Sequence, residues 1–492
     1  MDYWRRRHVK AALLLGLAGA LLAPIWSVRF LPIVDYPNHL ASAFVLAHLK
    51  DPGFHFSGFY TADWNTYPYL AMDVILVGLE RIVPIDLAGR LLVSLCVLSV
   101  PAAAWFFVRR ANPGEERLAL WSLLVANNLY FFLYGFLNLQ LSLAVCLFLL
   151  GLWLWHLEHP RLGSWCVLLL VTTALYFTHL MGFAVAAVVM TVYGLSARRT
   201  RKEMLATGAT YIPGALFYIH TLGVHGARGP LQWRALTDKI GSLVAVMVGC
   251  SPALDIITLL VLLGVLAWVQ VHNPDFKWNP HWRRATGLLF LFYWLLPAAY
   301  GPATNVDKRL LPFIFVLSLS GARVGRRGRK LAWIVLVLFF VRAAAVERHF
   351  IASQPHLARL ADAASAIPFG ARVLPLVDWA GGAPQPERHF WAYGVIERGW
   401  LAPCLFHDPG VHPLALTPRA YDRCNQTFTS SQVPDWPRVE SEFDYVWAYH
   451  VPQYTPVLSS LGKVVWAQEG LQVFQLGKGA AADKGMTPSP VR

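Results

Sequence analysis

Residues 4–41 read WRRRHVKAALLLGLAGALLAPIWSVRFLPIVDYPNHLA. A basic run comes first, about twenty apolar residues follow, and Asp35 stands just beyond them. An apolar helix of about 20 residues is long enough to cross a bilayer, and positive charge marks its cytoplasmic end. The stretch therefore predicts a first membrane span over about 11–31, with Asp35 at its outer end.

The same stretch also fits a cleaved signal peptide, which starts with a basic region and an apolar core. The core of a signal peptide is shorter, about 7–15 residues, and ends at a small-x-small cleavage site. No clear site of that kind precedes Trp26. A retained first span is therefore favoured.

The whole chain is apolar. Its 492 residues are 56% hydrophobic and 14% charged, with a mean hydropathy of +0.45. Soluble domains carry about 25% charged residues, so an ordinary soluble enzyme, a disordered chain and a small secreted protein are excluded. Ten further apolar segments bring the expected number of spans to about eleven: 90–108, 118–134, 138–155, 163–179, 181–196, 205–223, 255–271, 286–301, 310–323 and 331–347.

The basic residues lie in alternate loops. Six loops, which include 1–10, 197–204 and 323–330, hold 20 Lys and Arg in 55 residues, and the other loops hold 8 in about 109. Because cytoplasmic loops are the basic ones, we expect a bacterial inner-membrane protein with a cytoplasmic N-terminus and a periplasmic or extracellular C-terminus. This distribution also explains the net charge of +14 without nucleic acid as a partner.

Two regions lie outside the predicted spans. The first outer loop, 29–87, contains helix-like stretches at 37–49 and 69–82 whose amphipathicity suits a position along the membrane surface. Loops of this length are often functional. The C-terminal region has short β-rich runs at 372–377, 445–449, 463–468 and 471–476.

The predicted fold is therefore an all-α polytopic membrane protein. A transmembrane domain at 1–349 has about eleven transmembrane helices and interfacial helices in the first outer loop. A small extracytoplasmic α/β domain follows at 350–492.

The six cysteines do not form a disulfide scaffold. Four lie in or beside apolar segments: Cys96, Cys146, Cys166 and Cys250. Cys404 and Cys424 share the polar C-terminal region, where a bridge would close about 20 residues and add about 3 kcal/mol. The sequence leaves this bridge open.

Asp35 has two readings. Asp35 or Asn38 could cap a helix that starts near Pro37. Alternatively, Asp35 and His39, four residues apart, could share one face of that helix at the membrane boundary. Partial removal from water there would make the Asp35 carboxylate a better base.

Three more motifs follow Asp35. Tyr67-Pro68-Tyr69-Leu70 lies in the same loop, Arg90-Leu91 opens the second span, and Asp307-Lys308-Arg309-Leu310-Leu311-Pro312 stands at the outer end of a late span. The series resembles the GT-C superfamily of membrane glycosyltransferases, in particular the protein O-mannosyltransferase and aminoarabinose-transferase-like branch. Members have an acid in the first outer loop, a His-Pro-Pro-Leu-like motif, an Arg-Leu pair and an Arg-Tyr-Leu-Leu-Pro-like run. The similarity covers about 1–110 and 300–347.

The resemblance implies transfer of a sugar from a polyprenyl-phosphate donor in the lipid bilayer to an acceptor glycan, lipid or protein on the outer face. Asp35 would be the general base. Lys308 and Arg309 would stabilise the departing phosphate, although long basic side chains at a span end also snorkel to the interface. Further expected substrate-binding residues are His39, Tyr67, Arg90 and His179.

This sequence departs from the family at two positions. Tyr36 follows Asp35 where many members have a second acid, and Tyr67 replaces the histidine of the second motif. The sequence does not indicate a divalent cation, and the cofactor is left open. Arg228, Arg234 and Lys239, in the outer loop 224–254, are weaker candidates for holding phosphate.

Alternative functions remain. A transporter or flippase needs ionisable groups at mid-membrane, and the spans have almost none away from their ends, with Asp255 a borderline case. A non-catalytic envelope-assembly protein would not need Asp35. An enzyme of the same fold could ligate or polymerise glycans from a diphosphate carrier. The sugar and the acceptor are left open.

Overall fold

The structure is a computed structural model. It describes residues 2–225, 230–274, 276–301, 303–325, 328–378, 384–418, 420 and 434–477. The chain forms two compact units, each built from three separate segments. The first unit comprises Met1–Leu31, Asn65–Ile75 and Leu87–Ala352, and the second comprises Pro32–Trp64, Leu76–Asp86 and Ser353–Arg492.

The helices, in chain order, are α1 (Asp2–Trp26), α2 (Tyr36–Ala47), α3 (Ala71–Glu80), α4 (Ile85–Ala111), α5 (Leu123–Ala126), α6 (Tyr130–Tyr134), α7 (Leu137–Glu158), α8 (Leu162–Thr178), α9 (Leu180–Ser196), α10 (Arg201–Ala209), α11 (Ile212–His225), α12 (Leu236–Ala245), α13 (Pro252–His272), α14 (Pro280–Leu295), α15 (Leu311–Ser320), α16 (Gly328–Ser365), α17 (Ala392–Arg398), α18 (Trp436–Glu442) and α19 (Thr455–Leu461). The strands are β1 (Tyr60–Ala62), β2 (Leu231–Gln232), β3 (Lys277–Trp278), β4 (Ala299–Tyr300), β5 (Ala303–Thr304), β6 (Ala322–Arg323), β7 (Val373–Val377), β8 (Leu414–Leu416), β9 (Tyr445–Tyr449), β10 (Gly462–Gln468) and β11 (Leu471–Leu476).

The first unit is mostly helical and apolar. In the described part of the chain, α4, α7 and α13 are long and apolar enough to cross a membrane, and four shorter apolar helices lie at Ala11–Trp26, Leu162–Thr178, Leu180–Ser196 and Ile212–Val224. Helix α7 is the central one, because 89% of its apolar window is buried against 22% for α13. It packs on α8 and α9, and Gly182 of α9 allows close approach, since a Cβ there would lie 3.0 Å from the Ser142 side chain.

Most predicted spans coincide with helices, but two are broken. The predicted span 118–134 consists of a 3₁₀ segment (Glu116–Ser122), α5 and α6. The interruption falls at Asn127 and Asn128, whose amides suit breaks in helices better than their interiors. The predicted span 205–223 is divided into α10 and α11 at Thr210 and Tyr211.

The second unit contains a four-stranded sheet in the order β10-β11-β9-β7. Strands β7 and β9 are parallel and the other neighbours are antiparallel. The β-rich runs predicted from the sequence therefore are strands. Glu469 and Gly470, with φ of 49° and 82°, connect β10 to β11 in the left-handed turn that a two-residue hairpin requires. One face of the sheet packs on Val439, Phe443 and Leu458.

Segments of the first outer loop complete the second unit. Strand β1 pairs antiparallel with β8, Tyr60 opposite Leu416, and α2 packs on α17. Helix α2 differs from the surface helix expected at 37–49, because every residue from Tyr36 to Leu46 is buried. A helix enclosed on all sides has to satisfy its polar side chains with protein partners.

The described cysteines are of two kinds, free thiols in the apolar segments and a disulfide-bonded residue in the C-terminal region. Cys96, Cys146, Cys166 and Cys250 are free thiols. Cys404 is disulfide-bonded. Cys424, the partner considered in the sequence, lies outside the described residues.

Candidate functional site

Asp35 in the second unit occupies the N-cap position of α2, and its carbonyl accepts a hydrogen bond from the His39 amide at 3.0 Å. Pro37 in the first turn favours the start of the helix at this point. The Asp35 side chain makes no capping hydrogen bond. Asp35 therefore stands at the N-cap position, but helix capping does not account for an acidic side chain there.

The Asp35 side chain faces His389. Its Oδ1 lies 3.5 Å from His389 Nε2, and the two side chains are 13% and 8% exposed. The other ring nitrogen, Nδ1, is 3.2 Å from Asn38 Nδ2. The Asn38 amide is oriented unambiguously, because its Nδ2 also donates to the Cys404 carbonyl at 3.0 Å and its Oδ1 accepts from the Phe406 amide at 2.9 Å.

This arrangement determines the tautomer of His389. Asn38 Nδ2 can only donate, so Nδ1 accepts and the ring proton is on Nε2. Burial lowers the pKa of His389 well below its ordinary value, and Arg388 and His39 lower it further. The protonated nitrogen of this neutral imidazole is therefore the one that lies 3.5 Å from the Asp35 carboxylate, although Nε2 makes no hydrogen bond among the described residues.

His39, also on α2, is buried beside the same group. Its ring packs on Phe406 at 4.7 Å between centroids and lies 6.2 Å from the ring of His412. Burial lowers the pKa of His39 well below its ordinary value, with a contribution from His412, and burial lowers the pKa of His412 to about 4. His39 Nδ1 has no hydrogen-bond partner among the described residues.

A second polar cluster lies in the first unit around Arg309. Its guanidinium lies 4.9 Å over the Phe136 ring, and its Nη1 is 3.2 Å from His179 Nε2. The Tyr69 hydroxyl hydrogen-bonds with Arg309, and the Tyr69 ring meets that of His179 edge-on at 4.6 Å. Asn138 Nδ2 donates to the Tyr69 carbonyl at 3.0 Å, which positions that residue.

The His179–Arg309 contact brings two donors together. His179 is the N-cap of α9, and its Nδ1 accepts from the Met181 amide at 2.9 Å. A neutral imidazole has one N–H, so that proton is on Nε2 and points at the guanidinium. Two N–H donors whose nitrogens are 3.2 Å apart, one of them cationic, can both donate to an anionic oxygen beside them.

Lys308 differs from the basic residues of the loop before α13. Its ammonium lies 5.3 Å from the centre of the Tyr130 ring, and burial lowers its pKa. Arg234 instead pairs with the buried Asp307 at 3.3 Å. Lys239 donates to the carbonyls of Tyr293, Trp294 and Leu296 at the end of α14, at 2.7–3.0 Å. Arg234 and Lys239 are therefore engaged in structure, and Arg228 lies outside the described residues.

Two expected substrate-binding residues occupy other positions. Arg90 donates to the carbonyls of Ile25, Val28 and Arg29, the last two at 2.7 Å, and so closes the C-terminal end of α1. Tyr67 is fully buried. In the Tyr67–Leu70 motif it is Tyr69, two residues on, that reaches Arg309 and His179. The roles of Arg90 and Tyr67 in substrate binding stay predictions, and Tyr69 joins them as a candidate.

A third polar network lies deep in the first unit. Arg342 Nε donates to Asp255 Oδ1 at 2.8 Å, and Asn128 Nδ2 donates to the same atom at 2.9 Å. Gly249 N donates to Asp255 Oδ2 at 2.8 Å. The remaining Arg342 nitrogens bind the carbonyls of Leu124 and Asn128 at 2.9 Å. This network joins α5, α13 and α16.

Several of these residues were missed from the sequence. Asp73, in the first turn of α3, is buried, and burial raises its pKa to about 7. An acid in the first turn of a mostly apolar helix was the available signal. His389 and Arg342 carried no local signal, since their partners lie 351 and 87 positions away. Within the described residues no group of three or more His, Cys, Asp and Glu side chains is arranged to hold a metal ion.

Comparison with known proteins gives a match at the level of structure. No family model matches the sequence, and no curated protein matches it. Among nine matching chains of solved structures is ArnT from Cupriavidus metallidurans in the apo state. The two share 13% sequence identity with a TM-score of 0.55, over 95% of this chain and 98% of that chain.

An identity of 13% establishes the fold alone, and fold does not by itself imply function. The fold agrees with the resemblance carried by the first-loop acid, the Arg-Leu pair and the motif at 307–312. The chain therefore has the fold of ArnT.

Proposed function

We propose that this protein is an integral membrane glycosyltransferase that uses a polyprenyl-phosphate sugar as donor. The hydroxyl oxygen of an acceptor on the outer face attacks the anomeric carbon. The bond from that carbon to the phosphate oxygen breaks, and its electron pair leaves with polyprenyl phosphate. Asp35 accepts the proton of the acceptor hydroxyl. The proposal includes about eleven spans, a cytoplasmic N-terminus and an outer C-terminal domain.

The observation that carries this proposal is the Asp35–His389 pair. A carboxylate at an N-cap normally accepts a hydrogen bond from the first helical turn, and this one does not. Its Oδ1 lies 3.5 Å from Nε2 of a neutral imidazole. A carboxylate that does not cap its helix and lies beside a neutral ring is suited to accept a proton, as a general base requires.

The Arg309 cluster supports a phosphate as the leaving group. The guanidinium, the Nε2–H of His179 and the Tyr69 hydroxyl are three hydrogen-bond donors from three parts of the chain. Donors held in place before the reaction stabilise charge that develops on a departing oxygen. Arg309 is also the residue type best matched to a phosphate, because its planar fork donates two parallel hydrogen bonds.

Purified protein in proteoliposomes tests the proposal. Wild-type protein should release polyprenyl phosphate from a polyprenyl-phosphate sugar only when acceptor is added, and Asp35→Asn should release almost none. Asp63→Asn is the matched control, because Asp63 is an exposed carboxylate of the same loop. Failure of the wild type with every donor offered, or equal rates in Asp35→Asn and wild type, would overturn the proposal.

The Asp255–Arg342 pair does not favour the transporter alternative. Proton and ion relays need ionisable groups that can change partners. Asp255 accepts hydrogen bonds on both oxygens, and Arg342 bonds Asp255 and two carbonyls at 2.8–2.9 Å. Both side chains are held by fixed partners, so this network is not suited to a proton or ion relay.

A further inference from the structure

We propose that His389 is the residue that positions the Asp35 side chain, and that Asn38 fixes the tautomer of His389 that does so. His389 belongs to the C-terminal part of the chain, and Asp35 and Asn38 belong to the first outer loop. The inference rests on the proposed function, since it assigns the proton-accepting group a partner. It gives the C-terminal segment a part in the chemistry in addition to any choice of acceptor.

The first step is the direction of the hydrogen bonds. Asn38 Oδ1 accepts from the Phe406 amide, so the Asn38 NH₂ group points at His389. His389 Nδ1 accepts and Nε2 carries the proton. A ring in the other tautomer would direct a lone pair at the carboxylate across 3.5 Å and repel it.

The second step is the charge around the ring. The groups that face His389 are Asp35, Asn38 and His39 from α2 and Arg388 from its own turn. Phe406 covers the ring edge-on at 5.3 Å. Burial and the nearby Arg388 keep the imidazole neutral, so it orients Asp35 without neutralising it.

The third step is what the neutral N–H does for the reaction. It favours one orientation of the carboxylate and stabilises the ionised form, which is the form that accepts a proton. A catalytic group held within a narrow range of positions reacts faster than a mobile one. Loss of the N–H should therefore reduce turnover and displace the acidic limb of the pH–rate profile.

Two substitutions separate positioning from packing. His389→Gln keeps an N–H near the position of Nε2 and loses the acceptor for Asn38. His389→Asn keeps an acceptor near Nδ1 and loses the donor to Asp35. His48→Gln is the control, because His48 is a partly exposed histidine of the same unit.

We expect His389→Asn to lower kcat/KM by about 10- to 100-fold, by analogy with the loss of groups that orient metal ligands. Its acidic limb should move to higher pH, because a carboxylate without the donor holds a proton more tightly. His389→Gln should stay within a few-fold of wild type and keep its pH profile. Equal losses in the two variants would overturn the inference. So would near-wild-type activity in His389→Asn together with a loss in His389→Gln.

The test distinguishes this inference from the proposed function. If wild type transfers sugar and Asp35→Asn does not, the function stands, and the two His389 variants then decide the role of the histidine. A readout without turnover is the ¹⁵N spectrum of ring-labelled histidine in bilayers, in which His389 is identified as the signal absent from His389→Gln. Protonation at Nε2 supports the inference, and protonation at Nδ1 contradicts it.

Discussion

Asp255 and Asp35 are both buried carboxylates, and their surroundings are opposite. Asp255 in the first unit meets a guanidinium at 2.8 Å, an amide side chain at 2.9 Å and a backbone N–H at 2.8 Å. Asp35 in the second unit faces a neutral imidazole at 3.5 Å. The first arrangement cancels the charge and binds three helices together. The second arrangement is the one in which we propose that the carboxylate accepts a proton.

The arginines differ in the same way. Arg342 uses its nitrogens on a carboxylate and on backbone carbonyls. Arg309 lies among the Phe136 ring, His179 and Tyr69. A buried cation that is matched by a carboxylate serves stability, whereas Arg309, beside other donors, is the cation that we propose binds a phosphate. Burial of a charged side chain therefore does not by itself distinguish a stabilising role from a functional one; its partners do.

Asp255→Asn should have the largest effect on stability. The substitution leaves the Arg342 guanidinium buried without a counter-charge, which costs about 3–5 kcal/mol. We expect a large fall in the thermal midpoint of the detergent-solubilised protein. Asp35→Asn, measured in parallel, should unfold close to wild type, and an equal fall in both variants would refute the distinction between them.

Arg309→Gln should lower transfer by about 10²–10³-fold, the range for removal of one donor from a developing oxyanion. The Tyr69 and His179 rings would remain in place, so folding should be retained. The rate and the donor KM of the variant would be compared with those of Arg81→Gln, an exposed arginine of the first outer loop. Unchanged transfer by Arg309→Gln would exclude the phosphate role.

Acid should weaken the second unit through its buried histidines. Burial lowers the pKa of His412 from 6.5 to about 4, so the unfolded chain takes up a proton that the folded form resists. The stability that this creates is complete above pH 6.5 and is lost as the pH falls toward 4. Unfolding midpoints measured across that window should fall less in His412→Gln than in wild type; parallel curves would contradict the assignment.

Asp73→Asn should have the smallest effect. Burial raises the pKa of Asp73 from 3.8 to about 7, so below pH 7 the folded side chain is mostly a neutral carboxyl that an amide imitates. As the pH rises from 3.8 to about 7 the unfolded chain releases this proton and the folded protein retains it, so the wild type loses stability across that window while the variant does not. Coincident pH–stability curves for the two proteins would show that Asp73 is not desolvated.

Much of the fold could be predicted from residue patterns. Apolar segments located most helices, and the alternating runs at 445–449 and 471–476 became β9 and β11. The broken span at 118–134 could not be foreseen, because its interruption depends on Asn128, which binds Asp255 from 127 positions away. Apolar length alone does not show where a helix stops to serve a distant partner.

The candidate sites were predicted in part. Asp35, Lys308 and Arg309 stood in motifs, His179 was expected to bind substrate, and the structure brings Arg309 and His179 together. Tyr67 stays a prediction, and the contact of Tyr69 with Arg309 could not be foreseen, because an irregular loop has no periodicity that tells which side chain points inward. His389 lies 351 positions from Asn38, and only the folded chain shows that the two meet.

The most direct test of the account separates donor binding from transfer in Asp35→Asn. Donor affinity is measured with a polyprenyl-phosphate sugar in nanodiscs, and transfer is measured in a single turnover with the bound donor. We predict unchanged affinity and a transfer rate lower by about 10²–10⁴-fold, the contribution of a general base. A variant that transfers sugar at the wild-type rate would contradict the central claim that Asp35 accepts the proton.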